Sequence, residues 1–259
     1  MSRARSQESG KVAIVTGGAR GIGQAIAERL AKREKCRVVV ADLDNEGKVV
    51  AESVGGYFVP ADLARPEDCV TVAKRTLERF GTVDILVNNA GIQHIDPIED
   101  FPIEEWDRIM AVMLRAPFIL TKSVWPIMKA KGRGRIVNVA SVHGLVASPS
   151  KSAYVAAKHG LLGLTKVAAL EGGSVGITVN AVCPAYVRTD LVSGQVRQQA
   201  RVHNIPEDEV LEKVFLEKAS IRRLIEPDEV AALVCYLCSE DASAITGSAI
   251  PIDVGWMAR

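Results

Sequence analysis

Tyr154 and Lys158 stand four residues apart in the run KSAYVAAKHG at 151–160, and Ser141 precedes the tyrosine by thirteen residues. In a helix, that four-residue step puts both side chains on one face, about a turn apart. Ala153, Val155, Ala156, Ala157, Leu161, Leu162 and Leu164 recur at helical intervals among good helix formers, so a helix is expected here. An ammonium beside a phenol favours the phenolate, which predicts a lowered pKa for Tyr154 and makes it a base for proton transfer near neutral pH. Ser141 follows the strand-like run RIVNVA, where a hydroxyl at a strand's C-terminal end can face a ligand. The competing reading is an amphipathic helix with one tyrosine and one lysine on its solvated face, because YxxxK alone is a common pattern.

Such residues need a scaffold, and the preceding chain supplies one. VAIVT at 12–16 is a continuous β-branched run, as in a strand buried on both faces. TGGARGIG follows, with Gly17, Gly21 and Gly23, and AIAERLAKR then continues as an amphipathic helix. Strand, glycine turn and helix in succession form a place where backbone amides and a helix N-terminus face a pyrophosphate. A second strand, RVVVA at 37–41, ends at Asp42. About twenty residues beyond the glycine turn, a carboxylate can accept hydrogen bonds from both adenosine ribose hydroxyls and would repel a 2′-phosphate, so NAD is preferred over NADP. An ordinary turn aspartate is the alternative, and Arg20 could serve a 2′-phosphate if Asp42 turned away. YFVP at 57–60 reads as a third strand, with Asp62 placed to reach the adenine edge, and 67–80 has helical periodicity. DILVN at 84–88 is a fourth strand running into the small polar turn NNAG at 88–91. Alternating strands and helices predict an α/β fold: a Rossmann-type, doubly wound parallel sheet.

The bulk properties limit the rest. With 259 residues, 48% of them hydrophobic, the chain can fill one large core, so a single catalytic domain over 11–259 is expected behind a short disordered tail at 1–10. Formal charge is +1, from 32 basic and 31 acidic residues without a long basic block, which argues against nucleic acid or an anionic membrane as partner. No apolar run reaches the roughly eighteen residues that span a bilayer. MSRARSQESG has no apolar signal core and Glu8 leaves little room for a mitochondrial presequence, so a cytoplasmic location is expected. Five cysteines without a secretion signal suggest reduced thiols. Cys235 and Cys238 form CxxC inside the helical pattern EVAALVCYLCSED, with no second pair at zinc-site spacing, so they are expected to pack as small core residues and no metal is predicted.

TGxxxGxG at 16–23, Asp62, NNAG at 88–91, Ser141, and Tyr154 with Lys158 together resemble the short-chain dehydrogenase/reductase family, across nearly the whole chain. GIQH at 91–94, IEDFP at 98–102, HGLVAS at 143–148, KSAYVAAKHG and LVSGQ at 191–195 resemble the bacterial D-3-hydroxybutyrate dehydrogenases within it. The resemblance implies NAD-dependent interconversion of (R)-3-hydroxybutyrate and acetoacetate, with Ser141, Tyr154 and Lys158 catalytic, in a homotetramer. It implies cofactor contacts from Gly17, Arg20, Gly21, Ile22 and Gly23 on the turn and from Asp42, Asp62, Leu63, Asn89 and Gly91. Tyr154, Lys158, Val187 and Thr189 complete that set. For the substrate it implies a carboxylate grip from Gln93, His143, Lys151 and Gln195, with Ser141 and Tyr154 at the reacting oxygen and Tyr186 and Trp256 at the pocket wall. A cation and several hydrogen-bond donors converging on a small acid would fix its orientation. Individually, Lys151 in a Ser-rich loop and Gln93 in a turn also suit ordinary solvated side chains.

Two positions depart from the family pattern. Where the family commonly carries an asparagine supporting a proton-relay water, this chain has Met113, whose thioether cannot replace the amide's hydrogen bonds. After the sixth strand, at 178–183, the family's Pro-Gly becomes Pro184-Ala185, and Tyr186 replaces the tryptophan of the hydroxybutyrate dehydrogenases. From 191 to 226 there is no strand pattern, and EDEVLEKVFLEKAS has helical spacing, so this insertion is expected to be a helical substrate lid, with a surface hairpin or subunit contact as alternatives. Pro227 opens a further helix, a last strand lies near 249–252, and Pro117 and Pro126 are expected to kink or end the helix after Trp106. Other readings remain open: a 3-oxoacyl thioester reductase, a sugar or polyol dehydrogenase, or a cofactor-binding regulatory protein of weak activity, the last motivated by Met113 and Ala185.

Overall fold

A computed structural model describes residues 10–258. The tail expected over 1–10 lies, apart from Gly10, outside the described residues. Seven parallel strands form one sheet in the order β3-β2-β1-β4-β5-β6-β7. They are β1 Val12–Thr16, β2 Arg37–Asp42, β3 Tyr57–Pro60, β4 Ile85–Asn88, β5 Gly134–Val139, β6 Ile177–Pro184 and β7 Ala249–Ile252. The helices are α1 Gly21–Lys32, α2 Glu46–Ser53, α3 Pro66–Phe80, α4 Ile103–Met110, α5 Ala116–Lys131, α6 Ser152–Gly173, α7 Asp190–Ser193, α8 Val196–His203 and α9 Pro227–Cys238.

Neighbouring strand residues point to opposite faces, and this divides the core in two. Ala13 and Val15 of β1 pack on one side with Ile26 and Leu30 of α1 and Val230 and Val234 of α9. Ile14 packs on the other with Val72 of α3, Leu120 and Met128 of α5, and Ala168 of α6. Strands covered on both faces need apolar side chains at every position, which is why VAIVT, with all five residues buried, reads as an unbroken run. β1 pairs with β2 on one edge and with β4 on the other, so the winding reverses between β1 and β4, and a crevice opens at their C-terminal ends.

Three expectations need correction. Neither proline ends the helix after Trp106: α4 passes through a π-helical turn, Ala111–Arg115, into α5, where Pro117 lies in the first turn and Pro126 inside the helix. Proline has no N–H and crowds the carbonyl four residues back, and the wider turn just before Pro117, closed by Ala116 N–H on the Ala111 carbonyl, relieves that conflict. The segment EDEVLEKVFLEKAS is not one regular helix but a 3₁₀ turn, Glu207–Glu209, followed by a π-helical turn, Leu211–Phe215. Its charges keep a helical period, but Val210 and Phe215 are pulled into a small separate core with Tyr186, Val192 and Ala200. Strands β2 and β4 also differ from their sequence limits by one residue at one end, and β5 and β6 by one residue at each end, as pairing with neighbours sets where a strand stops.

Cys235 and Cys238 are buried in α9 without a disulfide, and burial holds both thiols above their usual range. Among the described residues, no helix is long and apolar enough to cross a membrane.

Candidate active site

The crevice is a cleft of about 500 Å³ that begins at the glycine turn and ends beneath the insertion at 191–226. At its first end the turn after β1 can be only what it is. Gly17 has φ +62°, in the left-handed region, and a Cβ on Gly23 would lie 2.0 Å from the Gly17 carbonyl oxygen. Asn89 fixes the same turn by donating to the carbonyls of Thr16 and Gly17 at 2.9 and 3.0 Å. α1 starts at Gly21 with no side chain capping its first amides, and Gly21, Ile22 and Gly23 line the cleft. Asp42, at the end of β2, accepts from the backbone N–H of Ala19 at 2.9 Å and of Asp44 at 3.0 Å. It is thereby held facing the turn rather than turned away, and Arg20 is paired with Asp44 and, at 3.8 Å, with Asp190. Asp62, Leu63, Asn89, Gly91, Val187 and Thr189 also line the cleft, so the whole expected cofactor set is brought together. A glycine turn without room for side chains, free amides at a helix start and a fixed carboxylate after β2 fit an adenine dinucleotide.

At the second end, β5 and β6 deliver Ser141 and Pro184, and α6 delivers Tyr154 and Lys158 on one face. Ser141 caps a 3₁₀ turn, Val142–Gly144, accepting from His143 N–H at 3.1 Å and donating to the Pro184 carbonyl at 3.4 Å. Lys158 donates to the Val139 carbonyl at 2.7 Å, and its Nζ lies 5.6 Å from the centre of the Tyr154 ring. This corrects the expected electrostatics. Burial raises the Tyr154 pKa, with only the Ser141 hydroxyl pulling it down, while burial lowers Lys158 to about 8. Spacing puts ammonium and phenol on one helical face, but desolvation is the largest cause of both shifts, and one donor of the lysine goes to a backbone carbonyl.

The groups expected to grip an acid line the same cleft as the phenol, with His143 edge-on to the Tyr154 ring at 6.1 Å. His143, Lys151 and Gln195 are all buried. His143 bonds the Ser148 hydroxyl at 2.8 Å, and burial followed by the charges of Lys151 and Lys218 drives its pKa to about 3, so it acts as a neutral imidazole. Lys151 donates to the Tyr186 hydroxyl at 3.2 Å, and burial lowers its pKa to about 8. The carbonyl oxygens of the Gln93 and Gln195 side chains are buried without a partner. An amide oxygen only accepts, so these two atoms call for a ligand hydroxyl; a carboxylate has to be met by donors, here the Lys151 ammonium and the amide N–H groups, of which Gln195 Nε2 already donates to the Leu191 carbonyl at 2.9 Å. The acidic residues lining the cleft, Asp42, Asp62 and Asp190, belong to the glycine-turn end, and Lys151 and Lys158 are the charged side chains beside Tyr154.

Trp256 is the exception. It does not line the cleft; it packs edge-on behind His143 with ring centres 5.7 Å apart, and Lys218 lies 4.7 Å over its other side. Met113 is buried against Ile109, Ala153, Ala157 and Tyr154, an apolar cluster that takes the place of the family's amide. Ser148, Arg108, Val112 and Val192 were not picked out from sequence; Arg108 and Val112, four apart on either side of the helical junction, had only that spacing as a signal.

The family model described as enoyl-(acyl carrier protein) reductase matches residues 17–257. A D-beta-hydroxybutyrate dehydrogenase of Rhizobium meliloti (strain 1021) is 46% identical over 256 residues, covering 96% of this chain and 99% of that protein. One from Cupriavidus necator is 44% identical over 256 residues, covering 97% and 99%. The crystal structure of levodione reductase superimposes with a TM-score of 0.87 at 33% identity, covering 96% of this chain and 98% of that one.

Proposed function

Because the chain belongs to the short-chain dehydrogenase/reductase family and is an oxidoreductase, we propose that it interconverts a short 3-hydroxy acid, (R)-3-hydroxybutyrate, with its 3-oxo acid, acetoacetate, using NAD. The observation that supports this reading is the buried Lys151 ammonium, which lines the cleft together with Tyr154 and the neutral His143. Two hydroxybutyrate dehydrogenases among the relatives point the same way. NAD rather than NADP is favoured by Asp42, held in place by two backbone amides, and by Asp44, which occupies Arg20.

Bound NAD supplies the hydride acceptor. Tyr154 removes the substrate's hydroxyl proton, Ser141 holds the same oxygen, and Lys158 holds the ribose beside it. Lys151 donates to the carboxylate, with the N–H groups of His143, Gln93 and Gln195 as its further donors, and so fixes which face of the carbinol carbon is presented. Since burial keeps Tyr154 protonated in the free protein, reduction of the oxo acid has its proton ready, and oxidation gains with rising pH.

The adjacent helices α5 and α6 expose Phe118, Val167 and Leu170, the last 85% accessible. Apolar side chains in such numbers on neighbouring helices suit association with further copies, and a homotetramer in the cytoplasm completes the reading.

The test is NADH formation by the purified protein with (R)- and (S)-3-hydroxybutyrate, beside a longer hydroxy acid and a neutral alcohol. The (R)-acid is expected to be the best substrate. Preference for the neutral alcohol, or strict dependence on NADP with acyl thioesters, would overturn the proposal.

A further inference from the structure

Asp96 lies outside the cleft, yet it is tied to three of the four segments that bear acid-gripping side chains, those of Gln93, Lys151 and Gln195 but not that of His143. It follows the loop that carries Gln93, and its carboxylate accepts from His94 Nε2 at 2.5 Å on one oxygen and from Arg201 of α8 on the other. Arg201 also reaches the Ile95 carbonyl at 3.4 Å. The backbone N–H of Asp96 donates to the carbonyl of Ser150 at 3.1 Å, next to Lys151. Ser150 has φ +62°, a left-handed conformation that a serine adopts only when its surroundings hold it. α8, for its part, begins directly after Gln195.

The insertion is therefore attached in two different ways. On its own side its helical part is held by apolar packing, with Ala200, Val210 and Phe215 against Tyr186, and its last residues by backbone bonds from Ser220 and Ile221 to the Val254 carbonyl. Across the mouth of the cleft, Arg201 is bound to Asp96 and Ile95 by polar contacts. Apolar packing of this kind tolerates small displacements, whereas a charged pair to a fixed carboxylate sets one position. His94, with Phe101 edge-on at 5.2 Å, keeps that carboxylate from rotating.

We propose that Asp96 is a positioning residue: with Arg201 it clasps the insertion across the cleft and sets Gln93, Lys151 and Gln195 at the spacing a small carboxylate requires. This rests on the hydroxy-acid reading of the site. Its consequence is selective, because the clasp touches neither Tyr154 nor Lys158. Asp96→Asn is expected to raise KM for (R)-3-hydroxybutyrate about two- to five-fold, the effect of a pair whose arginine is solvent-exposed, with kcat and KM for NAD within two-fold of wild type. Arg201→Gln, at an exposed side chain whose loss leaves the core intact, should do the same, and the double variant should be no worse than either single one.

Hydrogen exchange gives a readout that needs no substrate: amides of α8, Val196–His203, should exchange faster in both variants, while those of α6 do not change. Unchanged α8 exchange in both variants would overturn the clasp. Faster exchange with an unmoved KM for the acid, or an equal loss with a neutral alcohol, would overturn the positioning role. A wild-type protein that oxidises no hydroxy acid would instead sink the reading of the site, and the exchange measurement would still decide whether the clasp exists.

Discussion

Replacing Lys151 by methionine should make the protein more stable and a worse catalyst for acids, by amounts the structure fixes. The ammonium is 3% exposed, its partner is the Tyr186 hydroxyl, and burial holds its pKa at about 8 against the usual 10.5. That gap corresponds to about 3 kcal/mol, the cost of keeping the lysine charged in the empty folded protein. The folded value lies below the unfolded one, so between about pH 8 and 10.5 the unfolded chain holds the extra proton and wild-type stability rises with pH. Below pH 8 both states are protonated and the full cost is present. Lys151→Met removes it and loses one hydrogen bond of about 1 kcal/mol, for a net gain of about 2 kcal/mol, or roughly 4–8 °C in Tm at pH 7. The gain should fade as the pH approaches 10.5. For (R)-3-hydroxybutyrate the variant loses a charged hydrogen bond worth about 2–3 kcal/mol, so kcat/KM falls roughly 30- to 150-fold, mainly through KM. In the wild type the charged fraction of Lys151 falls from about nine tenths at pH 7 to about one tenth at pH 9, and KM for the acid should rise about tenfold. Calorimetry from pH 6 to 10 and steady-state kinetics with the acid and a neutral alcohol measure both halves. A variant that is less stable at pH 7, or equally impaired on both substrates, would refute the reasoning.

Tyr154→Phe should lower kcat about 10³-fold while NAD binding, followed by fluorescence, stays within a few-fold of wild type; substantial remaining activity would remove Tyr154 from proton transfer. Gly23→Ala places a methyl group 2.0 Å from the Gly17 carbonyl oxygen, so the turn must shift. Its expected signature is a loss of about 1–3 kcal/mol in stability with NAD affinity weakened more than tenfold, and an unchanged Tm and Kd would show that the turn yields easily. Asp42→Ala removes the carboxylate that would repel a 2′-phosphate, so the ratio of kcat/KM for NAD over NADP should fall at least tenfold, with no change counting against its role.

Much of the fold was legible because fully covered strands must be apolar throughout: VAIVT, RVVVA and RIVNVA announce themselves, and the glycine turn follows from Gly17 and Gly23 having no room for a side chain. Ser141, Tyr154 and Lys158 were legible as types and spacings, whereas Lys151 and Gln195 were named by resemblance; all five line one cleft. Energies were not. A four-residue step tells that Lys158 neighbours Tyr154, not that burial outweighs its charge or that the ammonium bonds Val139. Trp256 was placed at the pocket by resemblance, whereas packing sets it one layer back, behind His143. The Asp96–Arg201 pair joins positions 105 residues apart, and no local pattern in either segment marks it.

The π-helical turn at Ala111–Arg115 amounts to a one-residue phase slip between α4 and α5. One helical residue is about 100° of rotation, so α4 is turned by that angle against the face a regular continuation would present. The aim of Arg108 and Val112 into the cleft, and of Met113 at the tyrosine's neighbours, is thus fixed by backbone hydrogen bonding in five residues. A chain that lost one residue there would keep both helices and their composition, yet swing a different stripe of side chains toward the ligand.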